Sequence, residues 1–223
     1  MQALFKSLIA LALCGLAAVA SASPADPKSG TEYLTLPEVQ NTDSGNKVEV
    51  TEFFAYYCPH CHAYEPVLAA WVKKQSDKIS FKRVHVAHHP GVVPQQRLYY
   101  TLEAMGLAEQ YHAKVFAAIH EQRVRLSTDE QVFDWAASAG LDRAKFIDVY
   151  RSFGTEAKLR RANAMMAAYH IDQWPMVAID GRFLTSPYQS GRGSPAEATE
   201  AQQQQWSLQV MDFLVAKAKA EKK

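Results

Sequence analysis

Cysteine is scarce in this chain, with three in 223 residues, at positions 14, 58 and 61. An excess of charge of one sign is missing too: 24 Lys and Arg face 23 Asp and Glu, leaving +1. That balance gives no reason to expect a nucleic-acid partner. Long apolar runs are absent as well. The stretch Leu8–Val19 stops short of the roughly 20 residues that a membrane-spanning helix needs. It follows a positive start at Met1–Lys6 and ends in Ala20-Ser21-Ala22, the form of a secretory signal peptide over residues 1–22. Cleavage there removes Cys14, and the bulky Leu13 before Cys14 disfavours a lipid anchor. There are no internal repeats, and Gln202–Gln205 is too short to be low-complexity sequence.

Two cysteines therefore survive in the mature chain, both in Cys58-Pro59-His60-Cys61. In an oxidising compartment they can form a disulfide, but the loop is too short to constrain the unfolded chain much, so a structural staple explains them poorly. A hydrophobic content of 48% can build a core. Residues 23–45 read as a polar lead, with a short strand at Tyr33–Leu36. Val48–Phe54 alternates as a strand and runs into the cysteines. From Pro59, the recurrence of Cys61, Tyr64, Leu68 and Val72, with Trp71, predicts a helix that Pro66 kinks. Ile79–Val86 is a second strand, whose slipping alternation near Lys82-Arg83 predicts a bulge or a later start.

Helical patterns fill Gln95–Met105, Leu107–Glu121, Thr128–Ala139, Arg143–Phe153 and Glu156–His170. Ser127–Glu130 has the capping-box form, and Gly106, Gly140 and Gly154 stand where helices would stop. Asp180-Gly181 between apolar segments marks a hairpin, and Trp206–Ala218 a closing amphipathic helix. Lys217–Lys223 is locally basic, which suits a solvated helix C-terminus. The order implies an α/β fold: a mixed sheet formed by 46–90 and 171–220, with an inserted all-helical subdomain at 91–170.

A cysteine at the exposed start of a helix faces unpaired N–H groups and the positive end of the helix dipole, and both favour thiolate. Pro59 suits the first helical position, and His60 adds a polar or cationic neighbour. Cys61 lies one turn along the same face. Cys58 is then the exposed, attacked sulfur and Cys61 the resolving thiol. Whatever stabilises the Cys58 thiolate makes the disulfide a stronger oxidant, by about 30 mV per pKa unit. Glu52 shares a strand face with Val48, Val50 and Phe54. Buried there, its pKa would rise and it could relay protons for Cys61; an exposed strand end is the competing account. Glu65, one turn past Cys61, could join the same charge balance or lie on a solvated face.

The stretch Glu52-Phe53-Phe54-Ala55-Tyr56-Tyr57-Cys58-Pro59-His60-Cys61 resembles the active-site segment of the DsbA family, bacterial periplasmic disulfide oxidases with a thioredoxin-like fold. That family is itself a standard instance of a very acidic active-site cysteine and a strongly oxidising couple, so those properties come with the resemblance. The helical insert, a proline before the third core strand and the closing helix extend the likeness over most of the mature chain. The resemblance implies that Pro175 is a cis-proline packed beside the sulfurs. A substrate peptide would align along the neighbouring backbone of Trp174 and Met176. Trp174 departs from the family's smaller residue there, and core packing is its alternative role. The resemblance further implies a periplasmic monomer that oxidises unfolded exported proteins and is reoxidised by a quinone-linked membrane partner similar to DsbB. No dissociable cofactor is implied, the carrier being the Cys58–Cys61 disulfide, and no metal.

Three other readings stand beside it. A disulfide isomerase or reductase of the same fold is one, although isomerases usually resemble dimers and the residues before Val48 are too few for a dimerisation domain. Haem attachment is the second, because Cys58-Pro59-His60-Cys61-His62 satisfies C-x-x-C-H. The third is a metal-binding module using both cysteines and histidines 60, 62, 85, 88 and 89. Without a second C-x-x-C, its zinc signal is weak, and His85, His88 and His89 are expected in a loop or at the surface.

Overall fold

A computed structural model describes residues 26–194 and 197–222. The export leader expected over residues 1–22 lies outside them. Strands β1 (Leu34–Thr35), β2 (Val48–Phe54), β3 (Ile79–His85), β4 (Met176–Ile179) and β5 (Phe183–Thr185) form one mixed sheet in the order β1-β5-β4-β2-β3. The β2–β3 pair is parallel, and β4 runs antiparallel to β2. Parallel neighbours need a crossover, and α1 (Pro59–Gln75) supplies it. Five helices fall between β3 and β4: α2 (Val93–Ala104), α3 (Ala108–His120), α4 (Asp129–Ser138), α5 (Arg143–Tyr150) and α6 (Phe153–Ala168). A short α7 (Pro187–Ser190) and a long α8 (Glu200–Glu221) close the chain. Among the described residues no helix is long and apolar enough to cross a membrane.

Two cores meet at the sheet. Val48, Val50, Val177 and Ile179 pack with Tyr64, Leu68 and Trp71 of α1 and with Val210, Met211 and Leu214 of α8. Phe53, Phe54 and Val84 pack with the α2–α6 block, and this second core includes both Cys58 and Cys61. The buried face of α1 is Cys61, Tyr64, Leu68, Trp71 and Gln75, with Pro66 inside the helix and not ending it. Polar pins fix α1 to α8: Trp71 Nε1 and Gln75 Nε2 both donate to Asp212 Oδ1, at 2.8 and 2.7 Å.

β3 has neither bulge nor late start, since it pairs residue for residue with β2 from Val48–Ile79 to Phe54–His85. Its alternation fails because ion pairs with Glu52 and Glu65 hold Arg83 in the interior. Gly154 does not stop a helix; it lies in the first turn of α6, which Ser152 caps. The cap of α4 is Thr128, not Ser127, with Gln131 in place of Glu130 returning a bond to Ser127 N–H. α8 starts at Glu200, ahead of the expected Trp206, because Thr199 and Gln202 form a full capping box and draw Gln202–Gln205 into the helix. The hairpin turn has positive φ at Asp180 and Gly181, as an Asp-Gly turn requires.

Candidate functional site

β2 delivers the chain to a tight turn at its end, and Cys58 becomes the N-cap of α1 with Pro59 at the first helical position. The Cys58 Sγ accepts the Cys61 N–H at 3.3 Å, doing the work that a serine oxygen does at other helix starts. Both cysteines are free thiols in this structure, on successive turns of one face, and Cys58, expected to be exposed, is itself only 5% exposed against 0% for Cys61. Cys58 is pulled down to about 7, first by the hydrogen bond from the Cys61 side chain and, against burial, by the Cys61 and His60 backbone N–H groups and the His60 charge. Cys61 moves the other way: burial, then the facing Cys58 sulfur, push its thiol well up. The two sulfurs are thus separated in acidity, one suited to leave and the other to hold a proton.

The His60 side chain, 69% exposed, donates from Nδ1 to Glu200 Oε1 at 2.8 Å, which brings the first turn of α8 to the motif. That hydrogen bond raises the His60 pKa. The Trp174–Pro175 peptide bond is cis, and the Trp174 carbonyl lies 3.7 Å from Cys58 Sγ. Trp174 is half-buried beside His88 and Tyr57, at ring-centroid distances of 5.1 and 6.2 Å. Met176 is buried in β4, opposite Phe53.

Glu52 is enclosed in β2, at 1% exposure, so it is not at an exposed strand end. It meets Arg83, whose Nε donates to Glu52 Oε2 at 3.1 Å. The same guanidinium donates to Glu65 Oε1 at 2.9 Å and to Glu109 Oε1 at 2.7 Å. Burial raises both Glu52 and Glu65 to about 7, against the pull of Arg83. Glu65 therefore belongs to the buried balance and not to a solvated face. Arg83, Glu109, His112 and Tyr56 were not legible as site residues; only the broken alternation at Arg83 signalled that a strand position was occupied by something other than core.

His85, expected in a loop or at the surface, instead ends β3 fully buried, and its Nε2 accepts the Tyr56 N–H at 3.1 Å. Burial holds its imidazole neutral, with the pKa down to about 3. His88 and His89 are exposed, as a loop predicts. Among the described residues no three His, Cys, Asp or Glu side chains converge as metal ligands.

Comparison with known proteins gives a consistent result. A family profile described as DSBA-like thioredoxin domain matches residues 88–195, and one described as Thioredoxin matches residues 37–101, which include the two cysteines. The chain is 42% identical over 182 residues to the thiol:disulfide interchange protein DsbA of Bordetella parapertussis, covering 81% of this chain and 87% of that one. It is 37% identical to the same-named protein of Burkholderia cepacia over the full length of both. The crystal structure of Pseudomonas aeruginosa DsbA superposes with a TM-score of 0.79 at 28% identity, covering 88% of this chain and 97% of that one. With its mixed five-stranded sheet and a C-x-x-C at the tip of α1, the chain belongs to the DsbA family of thiol:disulfide oxidoreductases.

Proposed function

We propose that this protein donates a Cys58–Cys61 disulfide to reduced, unfolded proteins in the periplasm, through a mixed disulfide at Cys58. The observation that carries the reading is the place of the two thiols on α1: Cys58 Sγ caps the helix and accepts the Cys61 N–H at 3.3 Å, which helps to draw its pKa down to about 7, while Cys61 is fully enclosed one turn on and pushed well up. A client thiolate attacks Cys58 Sγ, the Cys58–Cys61 bond breaks, and Cys61 departs as a thiolate that takes a proton. Glu52, an acid raised by burial to about 7 and set in the strand leading to the cysteines, supplies that proton. A second client thiolate then attacks the client sulfur of the mixed disulfide, and Cys58 leaves ionised. His60, Pro59 and the helix tip stabilise that leaving sulfur. Pro175, with the neighbouring backbone of Trp174 and Met176, aligns the client strand. The protein's own cysteines are the carrier, so no dissociable cofactor is needed. It works as a monomer, and a quinone-linked membrane oxidase similar to DsbB restores the disulfide.

Equilibrating the mature protein with glutathione buffers tests the direction. A potential well above thioredoxin's about −270 mV is expected, and a value near that figure overturns the oxidase reading. Cys61→Ser should accumulate covalent client adducts, whereas Cys58→Ser should form none. A Cys61→Ser protein free of adducts would overturn the assigned roles.

A further inference from the structure

Cys58 has side-chain neighbours of two kinds. His60 reaches out beside it into a pair with Glu200. The other group is aromatic, and it is assembled from three segments: Tyr57 in the turn that ends at Cys58, His88 in the loop after β3, and Trp174 before Pro175. The Tyr57 hydroxyl and His88 Nδ1 share a 2.6 Å hydrogen bond. Ring centroids lie 5.4 Å apart for Tyr57 and His88, 5.1 Å for His88 and Trp174, and 6.2 Å for Tyr57 and Trp174. His89 adds a fourth ring, edge-on to His88 at 4.4 Å.

Tyr57 and Trp174 are half-buried and rest on the core that contains both cysteines, while His88 and His89 are exposed. Core packing thus accounts for only part of the Trp174 ring, which stands between the interior and two solvent-facing imidazoles. Rigid rings lose little entropy when a ligand lands on them, and the Tyr57–His88 bond sets two of them before any client arrives. The group also lies at the reacting atom. The Trp174 carbonyl is 3.7 Å from Cys58 Sγ, and Tyr57 is the residue before Cys58.

We infer that Tyr57, His88 and Trp174 determine specificity by taking a planar aromatic side chain of the client, two residues from its reacting cysteine. The inference rests on the reading that the client sulfur joins Cys58, and it names the side chain chosen there. The position follows from strand geometry. In an extended client, successive side chains point to opposite faces, so the one sharing the face of the cysteine is two residues away, about 6.6–6.8 Å along the chain. That step carries it from the bond at Cys58 Sγ onto the neighbouring rings. The type follows from the rings themselves. Two of the four are basic imidazoles, so a lysine or arginine finds no counter-charge in the group. A carboxylate would lose water against ring faces without a replacement partner. An aliphatic side chain gains burial alone, whereas a ring adds the edge-to-face or offset contact that aromatic pairs favour.

Reduced peptides with one cysteine in a glycine background test the assignment. Their attack on the Cys58–Cys61 disulfide is followed by acid quench and mass spectrometry. Each rate constant is divided by that of the same peptide with glutathione disulfide, which removes the intrinsic reactivity of the thiol. Phenylalanine two residues from the cysteine, on one flank, should raise the rate about tenfold over glycine, equivalent to ~1.4 kcal/mol. Leucine there should give less than half of that gain, and lysine no more than twofold. Trp174→Val and His88→Ala should each bring the phenylalanine-to-glycine ratio below threefold. A ratio is blind to a general loss of activity, and circular dichroism confirms that the variants fold. Phenylalanine no faster than glycine, leucine equal to it, lysine ahead of it, a gain confined to the adjacent position, or an unchanged ratio in either folded variant each overturns the proposal. Failure of the glycine peptide itself to reduce the disulfide would instead overturn the reading of Cys58, so the two failures are distinguishable.

Discussion

At Glu52 a carboxyl group lies inside the sheet with a single arginine to hold it, and the consequence is thermodynamic as well as catalytic. Its pKa in the folded protein is about 7 against an ordinary 4.5. A carboxyl raised on folding favours the native state fully below the unfolded pKa, and that contribution is lost as pH rises towards the folded pKa. The difference corresponds to about 3 kcal/mol, and sharing with Glu65 reduces what one position delivers to about 2 kcal/mol. Glu52→Gln, which keeps an acceptor for Arg83, should match the unmodified protein near pH 4.5 and exceed it by about 2 kcal/mol at pH 7.5 in urea titrations. Equal differences at both pH values would contradict the burial argument. At this scale Cys58, Cys61 and Glu52 were legible because strand alternation and C-x-x-C spacing are local. Arg83 and His112 were not, since their partners come from other elements, 31 residues away for Glu52 and 47 for Glu65.

The elements were read from the same kinds of local pattern, and the departures come where a contact from elsewhere decides. β2 was legible as a strand from its alternation, yet all seven of its residues are buried, polar ones included, because α1 and α8 cover one face of the sheet and the α2–α6 block the other. The β4–β5 turn shows both kinds of cause at once. Gly181 has φ of +66°, and a Cβ there would run into the backbone carbonyl of Gln40; the Gly181 carbonyl in turn accepts the Gln40 N–H at 2.8 Å. The left-handed backbone was foreseeable from Asp-Gly, whereas the crossing segment was not. For Gly181→Ala the left-handed conformation costs about 1–2 kcal/mol. The steric overlap adds to it, so a loss of at least ~2 kcal/mol, or a fall in Tm of about 4–8 °C, is expected. Gly140→Ala supplies the control: φ there is +89° with nothing within 4 Å, so only the backbone share, the smaller loss, should appear. Thermal melts showing equal losses for the two variants would remove the Gln40 contact from the account.

Across the whole molecule, the redox state of two sulfurs at one helix tip should set the stability of the entire fold. In the dithiol form the Cys58 pKa is about 7 against 9.0 for an unperturbed thiol. A group depressed on folding adds stability above its unfolded pKa and loses that contribution as pH falls through the folded one. The dithiol protein should therefore gain on the disulfide protein as pH rises from about 7 to 9. Below pH 6 the two should differ little on this account. Two units at ~1.4 kcal/mol set a ceiling near ~3 kcal/mol, and the opposite displacement of the neighbouring Cys61 thiol brings the expected gain to about 1–2 kcal/mol. Subtracting the disulfide curve leaves the two sulfurs together with the part of the Glu52 titration that is coupled to Cys61. Because a disulfide that destabilises its own fold relative to the dithiol is one the protein gains by giving away, the same free energy is the driving force for donation. Urea titrations of both forms between pH 5 and 9 measure it, and a difference that does not change with pH would mean that the helix tip does not hold Cys58 ionised.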